Sequence, residues 1–287
     1  MSRLESASPR SILVIGASDT GKTTLIEQML DVWNPGEPIA VVDCDVGQSR
    51  LGPPTTIGWG VVEPPTGSPA ASRQRGWSGV VMRGFAFTGA VSPEGNVEVF
   101  LDALSHMLLA ARREASKLII DTTGLVTGDI GALLKSRKVA LVQPDLVLAL
   151  QRERELEEVL ACVDGVRIER LMASSACTRR SLEDRTTYRN RQLARYFVNS
   201  ARHGFSLRNL RVLGLGPDWP RQEVVRSPAA LIDRMVGLRD AGGKDLALGL
   251  LREYDPESQA VTMLTPLKDA SAVTTLAIGS VRWPEDS

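Results

Sequence analysis

A glycine-rich segment between two apolar stretches constrains the fold more than any other part of this 287-residue chain. Residues 16–23 match the pattern G-x4-G-K-[ST]. An apolar run precedes them at residues 11–15, and apolar residues recur at helical spacing over residues 22–32. A strand, a glycine-rich loop and a helix in this order predict a loop whose backbone N–H groups surround a phosphate.

The residues of this loop have separate predicted roles in binding a nucleoside triphosphate. Glycines let the backbone approach the phosphates, Lys22 adds a positive charge for the β- and γ-phosphate oxygens, and the Thr23 hydroxyl can bind Mg²⁺. A chance glycine-rich turn is the alternative, but the flanking strand and helix favour the phosphate loop. The residues predicted to bind the nucleotide are Gly16, Ala17, Ser18, Asp19, Thr20, Gly21, Lys22, Thr23 and Thr24.

Two acidic segments follow predicted strands. Asp43 and Asp45 come after the apolar run 39–42, and Asp121 comes after residues 118–120. Because ligands of open parallel sheets bind beside the carboxyl ends of the strands, we expect both segments to lie next to the phosphate loop. Their carboxylates could hold Mg²⁺ or accept a proton from an attacking hydroxyl. The simpler alternative is that Asp43 and Asp121 cap a loop or a helix.

A predicted helix at residues 178–197 is rich in arginine. At about 100° per residue, Arg185 and Arg189 lie beside the apolar stripe of this helix, whereas three other arginines face the opposite way. We expect Arg185 and Arg189 to fold over a triphosphate and stabilise charge during phosphoryl transfer. A solvated basic face is the alternative, and it is our prediction for the outward set, which consists of Arg180, Arg191 and Arg195.

Strands and helices alternate through the first two thirds of the chain. Strands are predicted at residues 39–42, 80–88, 118–120, 146–150 and 168–173, and helices at residues 97–115, 130–138 and 153–162. This alternation predicts an α/β fold, a P-loop NTPase with a mostly parallel sheet flanked by helices and an arginine-bearing lid helix at about residues 178–200.

The pattern changes near the middle of the second half. From residue 210 onward short apolar strings are separated by Gly and Pro, which indicates antiparallel β-structure. We therefore predict a P-loop domain over residues 1–205 and a small β-rich C-terminal domain over residues 206–287. Residues 53–75, rich in Pro, Gly, Ser and Thr, are predicted to form a long surface loop.

Composition excludes several functional classes. The chain has 34 basic and 34 acidic residues, so no overall field attracts it to nucleic acid or membranes. Cys44, Cys162 and Cys177 are isolated from one another, which favours neither disulfides nor a zinc site and fits a reducing cytoplasm. The most apolar stretch, residues 139–150, is short and interrupted, so we expect a cytoplasmic protein without a membrane partner.

Together, the three polar segments resemble the polynucleotide 5′-hydroxyl kinase family of RNA-processing proteins, which includes the kinase subunit of the pre-mRNA cleavage complex and the ribosomal-RNA processing kinases. In that family a phosphate loop is followed by D-V-G-Q, here residues 45–48, and a proline-containing turn, here residues 52–54. A T-x-G-W element, here 122–125, and a lid of the form R-S-x3-R-x3-R with an aromatic pair, here 180–197, come next. The resemblance covers about residues 11–200, and the C-terminal segment resembles the tail domain of some members.

The resemblance implies transfer of the γ-phosphate of ATP, with GTP as the alternative nucleotide, to the 5′-hydroxyl end of RNA or DNA. Asp45 matches the general base of the family, Arg185 and Arg189 match the lid arginines, and Lys22 completes the predicted catalytic set. The predicted Mg²⁺ ligands are Thr23, Asp43, Gln48 and Asp121, with ordering of the attacking hydroxyl as the alternative role of Gln48. The implied substrate contacts are Thr122, Gly124 and Leu125.

Two features depart from the family pattern. Leu125 replaces the tryptophan that is expected to stack on a substrate base. Because the first predicted strand starts at residue 11, we expect the N-terminal β domain of the eukaryotic members to be absent, and protein partners are therefore not implied. Trp59 and Trp77, in or beside the long loop, are candidates for the missing stacking surface, with core packing as the alternative.

Two other functions match part of the sequence. Residues 121–124 also satisfy D-x-x-G, which is typical of regulatory GTPase-like switches or metal-chaperone type NTPases, although the chain has no N-K-x-D guanine-reading motif. Because the stacking tryptophan is absent, a second alternative is a protein that binds a nucleotide and a partner but turns over little substrate. Turnover of a 5′-hydroxyl oligonucleotide distinguishes the kinase from both.

Overall fold

The computed structural model describes residues 9–32, 37–62, 76–215 and 231–283. Contacts among these residues divide them into two compact units. The first unit comprises the described residues up to 45 and those within 59–84 and 105–179. The second comprises those within 46–58 and 85–104 and those from 180 onward.

Within the described residues, a seven-stranded sheet has the order β4-β3-β2-β5-β1-β6-β7. The pairs β2–β5, β5–β1, β1–β6 and β6–β7 are parallel, which confirms the predicted mostly parallel sheet. The strands are β1 (Ser11–Gly16), β2 (Ile39–Asp43), β3 (Thr56–Val62), β4 (Val81–Phe87), β5 (Lys117–Asp121), β6 (Leu146–Gln151) and β7 (Arg167–Met172).

The central strands are mostly apolar, which is the pattern expected of strands that are covered on both faces. Every residue of β1 and β2 is buried, as expected for parallel strands with helices on both sides.

The predicted helix at residues 153–162 is wrong in length, because only residues 157–160 are helical. The helices are α1 (Lys22–Val32), α2 (Val97–Glu114), α3 (Gly128–Val142), α4 (Glu157–Leu160) and α5 (Leu182–Phe197).

The predicted surface loop at residues 53–75 is wrong for its first part, which contains the buried strand β3. Its glycines allow close packing instead of marking a turn. A Cβ on Gly58 would lie 1.8 Å from the carbonyl oxygen of Leu51, and one on Gly60 would lie 2.6 Å from that of Val81. Residues 63–75 lie outside the described residues.

The described C-terminal residues form a six-stranded sheet with the order β8-β12-β11-β10-β13-β9, which confirms the predicted β-rich region. Its pairs are antiparallel except β13–β9. Buried apolar residues such as Val236, Leu238 and Met263 form a core on this sheet. The strands are β8 (Ala201–Ser206), β9 (Arg211–Gly214), β10 (Arg234–Arg239), β11 (Asp245–Asp255), β12 (Ala260–Thr265) and β13 (Thr275–Arg282).

The division into units differs from the predicted boundary at residue 205, because α5 and β8 both belong with the C-terminal sheet. Strand β8 pairs with β12 along its whole length. Leu193 and Phe197 of α5 pack in one core with Met235 and Leu248, and the ring of Phe197 stacks on Trp283 with a centroid distance of 5.6 Å. The predicted lid helix is therefore anchored on the β-rich unit.

Helix α5 is also shorter than predicted at its N-terminus. The Ser181 side chain accepts a hydrogen bond from the Asp184 amide at 3.0 Å, and the Asp184 carboxylate accepts one from the Ser181 amide. This reciprocal capping box satisfies two backbone donors and sets the start of the helix at Leu182. In the part of the chain that the structure describes, we find no helix of the length and apolarity that crossing a membrane requires.

Candidate functional site

The phosphate loop between β1 and α1 has a backbone that only glycine permits at two positions. A Cβ on Gly16 would lie 2.6 Å from Thr20 Oγ1 and 2.7 Å from the carbonyl oxygen of Leu150, and Gly21 has a φ of +92°. Thr20 Oγ1 donates a hydrogen bond to the Ala17 carbonyl at 2.9 Å, which closes the loop. The loop leads directly into the N-terminus of α1, a position where the helix dipole favours an anion.

The amine of Lys22 is buried at this loop. Its side chain is only 6% exposed, and Nζ donates to the Ala17 carbonyl at 2.8 Å. A cationic donor held beside the glycine-rich backbone fits the β- and γ-phosphate oxygens of a nucleotide. The residues present therefore fit a bound triphosphate.

Asp121 at the end of β5 is held by two neutral donors. Its Oδ2 accepts from the Thr23 hydroxyl at 3.1 Å, and its Oδ1 accepts from the Thr122 amide at 2.8 Å. Burial raises the pKa of this carboxyl to about 6, with the Lys22 charge opposing the rise and the Asp45 charge adding to it. The first unit thus brings together the cation, the hydroxyl and the carboxylates that were predicted to meet.

Asp43 and Asp45 lie at the same edge of the sheet. Asp43 is the last residue of β2 and stands opposite Asp121 in the β2–β5 register. The carboxylate of Asp43 accepts a hydrogen bond from the Asp45 amide at 2.9 Å. Asp43 and Asp121 are buried, whereas Asp45 is half-buried, so Asp45 is the carboxylate that an incoming molecule can reach.

The oxygen donors at this edge fit Mg²⁺. Thr23, Asp43 and Asp121 supply hydroxyl and carboxylate oxygens, the hard ligands that this ion prefers. Among the described residues, no cluster of three acidic, histidine or cysteine side chains forms a site built from protein alone.

The segment predicted to contact the substrate packs directly on the phosphate loop. A Cβ on Gly124 would lie 2.2 Å from Ser18 Oγ and 2.6 Å from the Ser18 nitrogen, so only glycine permits this approach. Leu125, at the family tryptophan position, is half-buried. The substrate roles of Thr122, Gly124 and Leu125 stay predictions.

Sequence reasoning gave no role to Lys135 and Lys138, two lysines of α3 that are buried in the structure. Both have no exposed surface, and Lys135 Nζ donates to Thr122 Oγ1 at 2.9 Å and to the Thr123 carbonyl at 2.6 Å. Burial lowers the pKa of both amines, and for Lys135 the Lys138 and Lys22 charges lower it further. The one available signal was their helical register with buried Gly131.

The arginines of α5 follow the predicted sorting by face. Arg185 and Arg189 are half-buried, and Arg191 and Arg195 are exposed. Burial lowers the pKa of Arg189, with a further contribution from the Arg185 charge. The predicted contact of these two arginines with a nucleotide stays a prediction.

Arg180 is exposed, as predicted for the outward set, but it makes contacts that the helical pattern does not predict. It precedes the helix, so helical angles do not apply to it, and its Nη1 donates to Gln48 Oε1 at 2.6 Å. The Arg180 guanidinium lies 6.0 Å from the ring centroid of Tyr188, whose hydroxyl donates to the Ser49 carbonyl at 2.9 Å. The start of the lid therefore binds the D-V-G-Q segment, and the metal role of Gln48 stays a prediction.

The two tryptophan candidates have different environments. Trp59 is 5% exposed in β3, so its suggested role as a stacking surface is wrong. Trp77 is half-buried in a 3-10 helix (Gly76–Gly79), and its indole Nε1 donates to the Thr23 carbonyl at 3.0 Å. Trp77 therefore contacts the first turn of the phosphate-binding helix.

A phosphate loop between the first strand and helix of a parallel sheet, with acidic residues at the neighbouring strand ends, defines a P-loop nucleotide-binding protein. Residues 16–199 match the family model described as mRNA cleavage and polyadenylation factor CLP1 P-loop. Because the match covers more than half of the chain, the protein belongs to this family.

Curated relatives extend the similarity over nearly the whole chain. A polyribonucleotide 5′-hydroxyl-kinase of Pyrococcus abyssi is 26% identical, with 97% of this chain and 89% of the relative covered. One of Thermococcus kodakarensis is 28% identical over the same shares. A chain of the solved wild-type Clp1p–Pcf11p complex has the same fold, with a TM-score of 0.71, 11% identity, and coverage of 98% of this chain and 76% of that one.

Proposed function

We propose that the protein is an ATP-dependent polynucleotide 5′-hydroxyl kinase. The observation that carries the proposal is the juxtaposition of the buried Lys22 amine, the Thr23–Asp121 hydrogen bond and the half-buried Asp45 at one edge of the sheet. This set offers phosphate binding, metal ligands and a reachable base in one place. The names of the archaeal relatives support this reaction class.

In the proposed reaction the 5′-hydroxyl oxygen of the acceptor forms a bond to the γ-phosphorus of ATP. The bond from that phosphorus to the β–γ bridging oxygen breaks, and ADP leaves with its electron pair. The hydroxyl proton passes to the Asp45 carboxylate, and Lys22 compensates charge on the phosphate oxygens. Thr23 and Asp121 would hold Mg²⁺, which supplies further charge neutralisation when bound.

Asp45 suits the base role better than its two neighbours. Asp43 and Asp121 are buried, and their oxygens already accept backbone or hydroxyl hydrogen bonds. Asp45 is half-buried and follows β2 by two residues, so its carboxylate stands where an acceptor can approach. A base must come within hydrogen-bond reach of the proton that it removes.

We propose that the acceptor is bound mainly through its sugar and phosphate groups. Leu125 offers no aromatic face, and a stacked base in single-strand binders contributes about 1 to 3 kcal/mol. Binding should therefore depend weakly on the identity of the terminal base. The names of the relatives favour RNA as the preferred polymer.

A γ-phosphate transfer assay tests the proposed function. Purified protein is incubated with γ-labelled ATP or GTP, Mg²⁺ and 5′-hydroxyl RNA or DNA oligonucleotides, with the same oligonucleotides already 5′-phosphorylated as the control. We expect label on 5′-hydroxyl ends only, and none with Lys22→Ala. GTP hydrolysis without transfer would instead support a regulatory NTPase, and nucleotide binding without either reaction would support an interaction protein.

A further inference from the structure

Lys135 occupies a place in α3 that an apolar side chain could fill. It has no exposed surface, and it lies in the same helix as buried Leu134 and Val139. Lysine is almost never fully buried unless it is paired, and burying a polar group costs free energy unless it is hydrogen-bonded. A buried amine at this position therefore indicates that its hydrogen bonds have a specific structural or functional role.

The amine of Lys135 binds the segment that follows β5 at two points. It donates to Thr122 Oγ1 at 2.9 Å and to the Thr123 carbonyl at 2.6 Å. The Thr122 hydroxyl in turn donates to the Val14 carbonyl of β1 at 2.9 Å. The segment is thus fixed to α3 and to the central strand at the same time.

The same segment is in contact with the phosphate loop. Gly124 approaches Ser18 so closely that a Cβ would lie 2.6 Å from the Ser18 nitrogen. Helix α3 also packs tightly on the continuation of the segment, since a Cβ on Gly131 would lie 2.9 Å from the Val126 carbonyl carbon. With so little free space, the position of residues 122–124 is set by their contacts with α3, β1 and the phosphate loop.

We propose that Lys135 is a positioning residue for phosphate transfer, whose buried amine holds residues 122–124 against the phosphate loop where the acceptor end binds. The role in turnover rests on the proposed function, because it assumes that this segment contacts the acceptor. The role as a tether does not depend on the reaction. A misplacement of about 1 Å at an active site can cost about 100-fold in rate.

Replacement of the amine by a methionine of similar length tests the role in turnover. For Lys135→Met we expect kcat to fall about 100-fold, with ATP affinity changed less than about threefold, since the nucleotide contacts remain. Arg137→Met, which replaces an exposed cation of α3 by the same residue, is the matched control and should leave both quantities unchanged. Equal losses in kcat and ATP affinity, or no loss at all, would overturn the proposal.

A double-mutant cycle tests the bond itself. Thr122→Val keeps the shape of the side chain and removes the hydroxyl that accepts from Lys135. We expect Lys135→Met to lower kcat by a smaller factor in the Thr122→Val background than in the wild type, because the two changes break the same bond. Fully additive effects would contradict the tether.

Hydrogen exchange of the nucleotide-free full chain provides a readout that is independent of activity. We expect peptides covering residues 122–126 to exchange about tenfold faster in Lys135→Met, with peptides of β10 and β11 unchanged. Thr122→Val should give the same local change if Lys135→Met does not fold. Unchanged exchange in both variants refutes the tether, whereas absence of phosphate transfer by the wild type refutes only the proposed function.

Discussion

Each of the two units buries an aspartate, but the two carboxylates have different partners. In the first unit Asp121 accepts hydrogen bonds from the Thr23 hydroxyl and the Thr122 amide, which are neutral donors. In the second unit Asp245 accepts from the Arg239 guanidinium at 3.0 Å and from the Phe87 amide at 2.9 Å. Burial raises the pKa of both carboxyls, and in Asp245 the Arg239 charge opposes the rise.

The difference separates a carboxylate whose charge is balanced within the fold from one that we propose binds a ligand. Arg239 also donates to the Phe87 carbonyl, so Asp245 belongs to a network whose charge is balanced within its own unit. Asp121 lies beside Lys22, whose amine is bound to the phosphate loop. We infer that the same substitution has opposite consequences for stability in the two units.

The largest expected effect concerns Asp45, which should matter to chemistry and little to the fold. Loss of a general base in Asp45→Asn should lower kcat by about 10⁴-fold, the upper end for such groups. ATP binding by calorimetry and thermal stability should stay near wild type, as they should in the control Asp31→Asn, an exposed residue of α1. Near-normal turnover of Asp45→Asn would refute the base assignment.

Arg185 is predicted to neutralise phosphate charge, in contrast with Arg239, which neutralises a carboxylate of its own unit. Arg185→Ala should lower kcat by about 10³-fold, as for an arginine finger, with little change in ATP affinity. Arg191→Ala, at an exposed position of the same helix, is the control. If Arg185→Ala weakened ATP binding as much as it slowed turnover, the residue would be a simple ground-state ligand.

Asp245→Asn should destabilise the protein by about 3 kcal/mol, because it leaves the Arg239 charge without its buried partner. Urea unfolding measures the loss, and transfer activity per folded molecule should not change. Glu253→Gln, which removes one side of the exposed Arg202–Glu253 pair, should have little measurable effect. If Asp245→Asn and Glu253→Gln lowered the free energy of unfolding by similar amounts, the buried ion pair would not be more important for stability than the exposed one.

Asp121→Asn should stabilise the nucleotide-free protein near pH 8 by up to about 3 kcal/mol. The pKa of Asp121 rises from 3.8 to about 6 on folding, so the folded state disfavours the ionised form. This cost is complete above about pH 6 and disappears as the pH falls towards 3.8. Thermal unfolding at both ends of this range checks the sign, and a destabilised variant near pH 8 would contradict it.

Sequence reasoning succeeded where the chemistry is local. The phosphate loop and the aspartates at the ends of β2 and β5 follow directly from motifs and strand positions. The aspartates lie close to the phosphate loop because the carboxyl ends of parallel strands meet at a common edge of the sheet. The family resemblance then predicted a membership that residues 16–199 confirm.

The remaining features depend on contacts between distant segments. Glycines 58 and 60 suggested a loop, although they permit close packing of β3. Lys135 and Arg180 carry charges that are common on solvated surfaces, and only the fold brings them to Thr122 and Gln48. No spacing along the chain encodes such pairings, so the partners of these residues could not be predicted from periodicity.

The hydrogen bond from the Trp77 indole to the Thr23 carbonyl has an optical consequence. Indole emission responds to changes in its surroundings, and this ring is coupled to the turn that would close around a triphosphate. The protein thus carries its own fluorophore at the nucleotide site, and the difference in emission between the wild type and Trp77→Phe isolates its signal. Nucleotide entry could then be followed in real time without a label.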